Sequence, residues 1–218
     1  MVNKLSDYQI KKIIRCFCED IDATKTAAIL DINRNTINRY FNLFRLAIFH
    51  AHHSEQTKIS GTFELDESYF GAKRIRGKRG RGAAGKTPVF GLLKRDGKVH
   101  VEVVQNCSKE QLMPIIQGII LEGSTIHTDG WKAYDGLVLN GYTHHRVFHS
   151  HNEFARGKSH VNGIESFWSF AKRRLAKFNG LSDEKFFLHL KECEFRFNNR
   201  HNNINLIIYK LYKNYNPK

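Results

Sequence analysis

Two apolar runs, at 87–95 and 98–106, are joined by Arg95-Asp96-Gly97-Lys98. Asp-Gly between apolar runs is hairpin chemistry, because glycine accepts the positive φ that tight turns demand. The two runs are therefore expected to pair antiparallel. A third apolar run at 62–70 precedes them, so this part of the chain opens with three consecutive strands. Ser108 then caps a helix to about Leu121. A strand at 124–129, a short helical stretch near 131–139 and a strand at 142–149 follow. Two helices close the segment, about 160–178 and 183–199, the second capped by Ser182.

Three strands, a helix, a strand, a helix, a strand and then helices is the element order of the ribonuclease H-like fold. The expected class is α/β, a mixed sheet flanked by helices, preceded by a small all-α domain. In that domain residues 6–19 form a helix capped by Ser6 or Asp7, with Ile10, Ile13, Ile14 and Phe17 on one face. A short helix from Thr24 to Leu30, a tight turn at Asp31-Ile32-Asn33 and a longer helix from Arg34 to about Ala47 follow. Helix, three-residue turn, helix is the unit that places its second helix in the DNA major groove. Asp31 stands where glycine is common, and an ordinary helical hairpin is the plain alternative. The expected divisions are 1–50 for this domain, 51–61 for a polar linker, 62–200 for the sheet domain and 201–218 for a tail.

Lys and Arg number 35 against 21 Asp and Glu, a formal charge of +14. Such an excess points to a polyanionic partner, with a generic basic protein as the alternative. No run of 18 apolar residues exists, so no membrane span is expected. Cys16, Cys18, Cys107 and Cys193 form no C-x-x-C pair, which argues for reduced thiols and against a zinc ribbon. Residues 80–87 match the string of a phosphate-binding loop, but that motif works only between a strand and a helix. Here a basic run precedes it and Pro88 and a strand follow, so no nucleotide partner is expected. Residues 73–86 carry seven Lys or Arg and no acid. Arg74, Arg76, Lys78, Arg79 and Arg81 read better as contacts to a phosphate backbone. His144, His145, His149, His151 and His160 crowd one region. They lack thiolate partners and structural zinc spacing, so a wet, DNA-facing surface is the better account.

Three acids stand out in separate apolar contexts. Asp66 lies in the first strand, where alternation puts Glu64, Asp66 and Ser68 on one face and Phe63, Leu65 and Glu67 on the other. Asp129 ends a later strand, and Glu165 opens a basic, aromatic helix. Three carboxylates in a basic chain suit two divalent cations, which sit roughly 3.5–4 Å apart and clamp the attacking and leaving oxygens of a phosphodiester. Each acid has a plainer alternative: a solvated strand face for Asp66, a turn residue for Asp129, and a capping box with Asn162 for Glu165. Against the last, Glu165, Ser169 and Lys172 form one helical stripe beside a buried stripe of Ile164, Phe167, Ala171, Leu175 and Phe178.

Residues 66–71, 128–134 and 160–168 together resemble the motifs of bacterial insertion-sequence transposases with an ISXO-like DDE domain. Residues 78–86 and 177–180 resemble a short subgroup of that family, and the likeness spans about residues 5–200. The resemblance implies a ribonuclease H-like fold and cut-and-join DNA transfer at element ends, with Asp66, Asp129 and Glu165 as catalytic metal ligands. It implies two Mg²⁺ or Mn²⁺ per site, element-end and target double-stranded DNA as partners, a homo-oligomer on DNA, and a cytoplasmic, nucleoid-associated protein. Many relatives carry a zinc ribbon that this chain lacks. End recognition then falls to Arg34, Asn35, Asn38 and Arg39 on the third helix of the N-terminal unit and to basic surfaces that include Asn162, Lys172 and Arg173. A DNA-binding derivative that only represses, or a nuclease without strand transfer, are the competing classes.

Overall fold

The computed structural model describes residues 5–53, 58–71, 86–95, 97–129, 132–147, 162–178 and 180–215. The chain divides into two compact units, one of Met1–Glu55 with Asp183–Lys218 and the other of Gln56–Ser182.

The first unit is all helical. Helix α1 (Asp7–Cys18) starts at Ser6, whose hydroxyl accepts from the Gln9 amide while the Gln9 side chain accepts from the Ser6 amide. This reciprocal cap satisfies two orphan N–H groups. Its apolar face, Ile10, Ile13, Ile14 and Phe17, is buried as the spacing demands. Asp22 caps α2 (Ala23–Leu30) through its carboxylate, 2.9 Å from the Lys25 nitrogen. The turn ends α2 with Asp31 in the left-handed region, at φ 50° and ψ 48°. Helix α3 (Arg34–His53) runs beyond the expected end at Ala47, because Ala47 and Ile48 continue its buried stripe of Ile37, Tyr40, Phe41 and Phe44.

The boundary expected at residue 200 differs from the observed packing. Helix α6 (Asp183–Asn198) belongs to the helical unit. Its Glu192 is fully buried and accepts from Arg45 of α3 and from Arg196, each at 2.8 Å. Arg196 also donates to the carbonyls of Phe17 and Cys18, which closes the C-terminus of α1. Residues 201–218, expected as a tail, contain helix α7 (Ile204–Asn214). Asn203 caps it, Ile208 is buried, and Tyr212 packs edge-on against Phe44. The Asn- and Tyr-rich composition hid this helix, because its apolar face is completed by tyrosines.

The second unit holds one five-stranded sheet in the order β3-β2-β1-β4-β5. The strands are β1 (Thr62–Phe70), β2 (Thr87–Lys94), β3 (Val99–Val103), β4 (Thr125–Asp129) and β5 (Thr143–Val147). The first three pair antiparallel in sequence, as the Asp-Gly turn requires, and β4 and β5 join β1 in parallel. Ile59, expected in a linker, bridges to Ile120 instead. Helix α4 (Lys109–Ile119) covers one face, burying Leu112, Met113 and Ile116 with Phe63, Leu65, Phe90 and Leu92. The stretch after β4 forms two short 3-10 turns, Lys132–Tyr134 and Val138–Asn140. Helix α5 (Asn162–Leu175) lies on the other face.

A left-handed Asp is tolerated but costs more than glycine does there. Asp31→Gly should raise the midpoint of thermal unfolding of the full chain, by about 0.5–1 kcal/mol of stability. Asp31→Val should lower it.

Candidate active site

Strand β1 alternates as expected. Phe63 and Leu65 face the α4 core, while Glu64 and Asp66 face α5. The parallel register with β4 sets Thr62 beside Thr125 and Glu64 beside His127. The pairing ends there, and alternation puts Asp66 and Asp129, each two residues further on, on the same face of their strands as Glu64 and His127. Asp66 thus lies in the middle of β1 and Asp129 at the end of the neighbouring strand β4.

Helix α5 brings the third acid. Its buried residues are Ile164, Phe167, Trp168, Ala171, Arg174 and Leu175. Glu165, Ser169 and Lys172 line the exposed side together. Asn162 is itself helical, and the amide of Ile164 bonds to the Glu64 carboxylate at 3.0 Å. The Ile164 amide at the helix start is thus served by a strand residue, whereas the capping-box alternative concerns the next amide, that of Glu165.

The Asp66 carboxyl senses the charges of both Asp129 and Glu165. The Asp66 carboxyl is pushed up to about 6 from its usual 3.8, chiefly by burial, with the charges of Asp129 and Glu165 adding to the effect. The Glu67 amide and the Trp168 indole oppose it. Among the described residues, no three His, Cys, Asp or Glu side chains stand close enough together to form a metal cluster. The donor chemistry nonetheless fits a hard divalent cation: all three groups offer carboxylate oxygens, and Asp66 is held beside two like charges that a cation would neutralise.

Glu67 points away from Asp66. The Tyr134 hydroxyl, fully buried, donates to its Oε1 in a very short bond. Burial and the Glu67 charge hold the Tyr134 pKa well above its usual value. This bond ties β1 to the turn that follows Asp129.

Three contributors escaped the sequence reading. Glu64, 1% exposed, pairs with Arg95 at 3.0 Å and holds the start of α5. Trp168 donates its indole N–H to Asp66 Oδ2 at 3.1 Å. Gly91 is the cross-strand partner of Asp66, and a Cβ there would stand 2.5 Å from the Trp168 ring. An isolated glycine within the apolar run 87–94 was the available signal, since it marks a close approach.

The expected DNA contacts divide between the units. Arg34, Asn35, Asn38 and Arg39 are exposed on α3 while Ile37, Tyr40 and Phe41 are buried behind them. Asn162, Lys172 and Arg173 are exposed on α5. Arg74, Arg76, Lys78, Arg79 and Arg81 lie outside the described residues. Thr87, which ends the phosphate-loop string, opens a strand, where such a loop requires a helix. Of the histidines, His144 contacts Thr128 Oγ1 at 2.9 Å and its pKa is lowered, first by burial. His145 stacks on His127. His149, His151 and His160 lie outside the described residues.

Sheet order and mixed pairing are those of a ribonuclease H-like fold. Residues 58–198 match the family described as the ISXO2-like transposase domain. The chain is 45% identical over 102 residues to an uncharacterized transposase-like protein of Haemophilus influenzae, covering 47% of this chain and 82% of that protein. It is 30% identical over 185 residues to an uncharacterized protein in transposable element ISH50 of Halobacterium salinarum, covering 78% of this chain and 62% of that one. The chain belongs to the ISXO2-like family of insertion-sequence transposases. Solved structures similar to it include the catalytic core domain of BIV integrase, with TM-score 0.43, 14% identity and coverage of 70% of this chain and 95% of that one. The Mos1 transposase paired-end complex with its left transposon end aligns with TM-score 0.31, 10% identity and coverage of 96% and 82%.

The raised Asp66 carboxyl has a signed consequence. A carboxyl whose folded pKa lies above its unfolded value favours the fold at low pH, and that contribution is lost as pH rises through about 6. Relative to Asp66→Asn, the cation-free wild type should lose about 2–3 kcal/mol between about pH 4 and about pH 7 in urea unfolding.

Proposed function

We propose that this chain is a DNA transposase that cuts phosphodiester bonds at the ends of an insertion sequence and joins the freed 3′-OH to target DNA. What supports it is the pairing of β1 with β4, which ends at Glu64 beside His127 and leaves Asp66 and Asp129 two residues further along their strands, with Asp66 on the face toward α5. Asp66, Asp129 and Glu165 are the proposed ligands of two Mg²⁺ or Mn²⁺. When bound, paired cations activate the attacking oxygen and stabilise charge on the leaving oxygen.

The chain's own groups do the positioning. Asp66 and Asp129 offer oxygens side by side from the sheet. In this reading Glu165 supplies the third carboxylate from the exposed side of α5, and Lys172 follows two turns later on the same side, where a cationic side chain would meet a phosphate. Arg173 and Asn162 extend that polar surface along the helix. In the helical unit, Asn35 and Asn38 suit adenine edges, while Arg34 and Arg39 suit guanine edges or phosphates. Arg74, Arg76, Lys78, Arg79 and Arg81 supply affinity for any duplex by releasing counterions. Cutting and joining two element ends requires two such sites, so a homo-oligomer on double-stranded DNA belongs to the proposal, as does action at the bacterial nucleoid. Among the described residues no helix is long and apolar enough to cross a membrane.

The test uses labelled end duplex and plasmid target with Mg²⁺. Asp66→Asn, Asp129→Asn and Glu165→Gln should each lower cutting and joining by at least about 10³-fold, a loss of about 4 kcal/mol in transition-state stabilisation, with end binding near wild type. Near-normal cutting by Glu165→Gln would return that residue to a capping role. A wild-type chain that binds ends and never cuts them would be a repressor.

Base reading is tested separately. Asn35→Ala with Asn38→Ala should reduce the preference for end DNA over random duplex by about 1–3 kcal/mol for each lost base contact. Competition binding at fixed salt measures it; an unchanged ratio in a folded protein rules this helix out as the reader.

A further inference from the structure

We propose that Trp168 is a positioning residue for Asp66, holding its carboxylate in one rotamer with lone pairs left for a divalent cation, and that Gly91 is the opening in the sheet that admits its ring. This rests on the cation-binding function proposed above and deepens it.

The geometry is specific. Trp168 Nε1 and Asp66 Oδ2 are 3.1 Å apart and 102 positions distant in sequence. The indole is 4% exposed, so its N–H must find an acceptor inside the fold. Phe70 and Phe167 hold the ring, with centroids 6.0 and 5.1 Å away. Gly91 is the register partner of Asp66. A Cβ there would lie 2.5 Å from Cζ2 and 2.8 Å from Cη2 of Trp168, closer than carbon atoms pack. The ring therefore reaches the carboxylate across a strand that carries no side chain at that point.

A carboxylate's terminal torsion is broad and roughly two-fold, so an unheld Asp66 samples many orientations. An indole N–H fixes it without removing its charge, because indole is a donor only. Removing such an outer partner of a metal ligand typically costs 10–100-fold in metal affinity or activity. A Trp that merely fills space would leave cation affinity unchanged when replaced by Phe, which keeps a ring and lacks the N–H.

The chain has two tryptophans, so ¹⁵N-labelled Trp131→Phe protein shows a single indole N–H resonance, that of Trp168. Titration of this full-length protein with Mg²⁺ should move the resonance, and the movement should vanish in the same protein carrying Asp66→Asn. Calorimetric Mn²⁺ affinity of Trp168→Phe should fall about 10–100-fold, with metal-free duplex binding unchanged. If wild type binds cation with heat that Asp66→Asn abolishes, yet the resonance stays still or Trp168→Phe binds Mn²⁺ like wild type, this inference is overturned and the cation-binding function stands. If wild type itself gives no binding heat, both fall. Should Trp168→Phe fail to fold, the resonance titration alone decides.

Discussion

One buried carboxylate organises the second unit. Glu64 sits almost fully inside the protein between Arg95 and the first turn of α5. A carboxylate in such a place is costly unless its charge is paired and its oxygens are bonded. Both conditions are met here, one oxygen by a guanidinium and the other by a helix amide at 3.0 Å. The helix N-terminus carries partial positive charge, which favours the same arrangement. Because the amide belongs to Ile164, the residue beside it, Glu165, inherits its place from this bond. Gly163 permits the approach: a Cβ there would lie 2.3 Å from Leu93 Cδ2 and 2.9 Å from Glu64 Oε2.

The site is built on that seating. Once α5 lies flat on β1 and β2, Trp168 falls over Gly91 and reaches Asp66. On the opposite face Tyr134 holds Glu67. Neighbouring acids of one strand are thus used in two ways. One accepts the Trp168 indole on the α5 face, and the other holds Tyr134 in the stretch beyond Asp129. The helical unit uses related chemistry for a different end. Glu192 is shared by Arg45 and Arg196, and Arg196 closes the carbonyl end of α1. That network draws α6 to the N-terminal helices, leaving the polar side of α3 exposed.

Local chemistry was legible residue by residue. Ser6 with Gln9, Asp-Gly at 96–97 and the alternation of 62–70 each express a backbone preference within a few positions. They gave the sheet's first three strands, the succession of helix, turn and helix at α2 and α3, and the buried faces of α1 and α3. Asp66, Asp129 and Glu165 were legible as candidates because each is an acid set within or at the boundary of an apolar element. Helix α7 was missed, because its packing relies on tyrosines whose burial depends on Tyr40 and Phe44 far upstream.

What the sequence determined by itself is the set of elements, their order and the side of each strand or helix on which an acid stands, because periods of 2 and 3.6 are local properties of the backbone. Only the tertiary structure decided that β4 lies beside β1, that α6 and α7 pack with the first three helices, and that Glu64, Gly91 and Trp168 serve Asp66 and Glu165. Those outcomes turn on pairings between residues about 25 to 179 positions apart. No local period encodes such pairs; they are selected by which burial satisfies every charge and admits every ring at once.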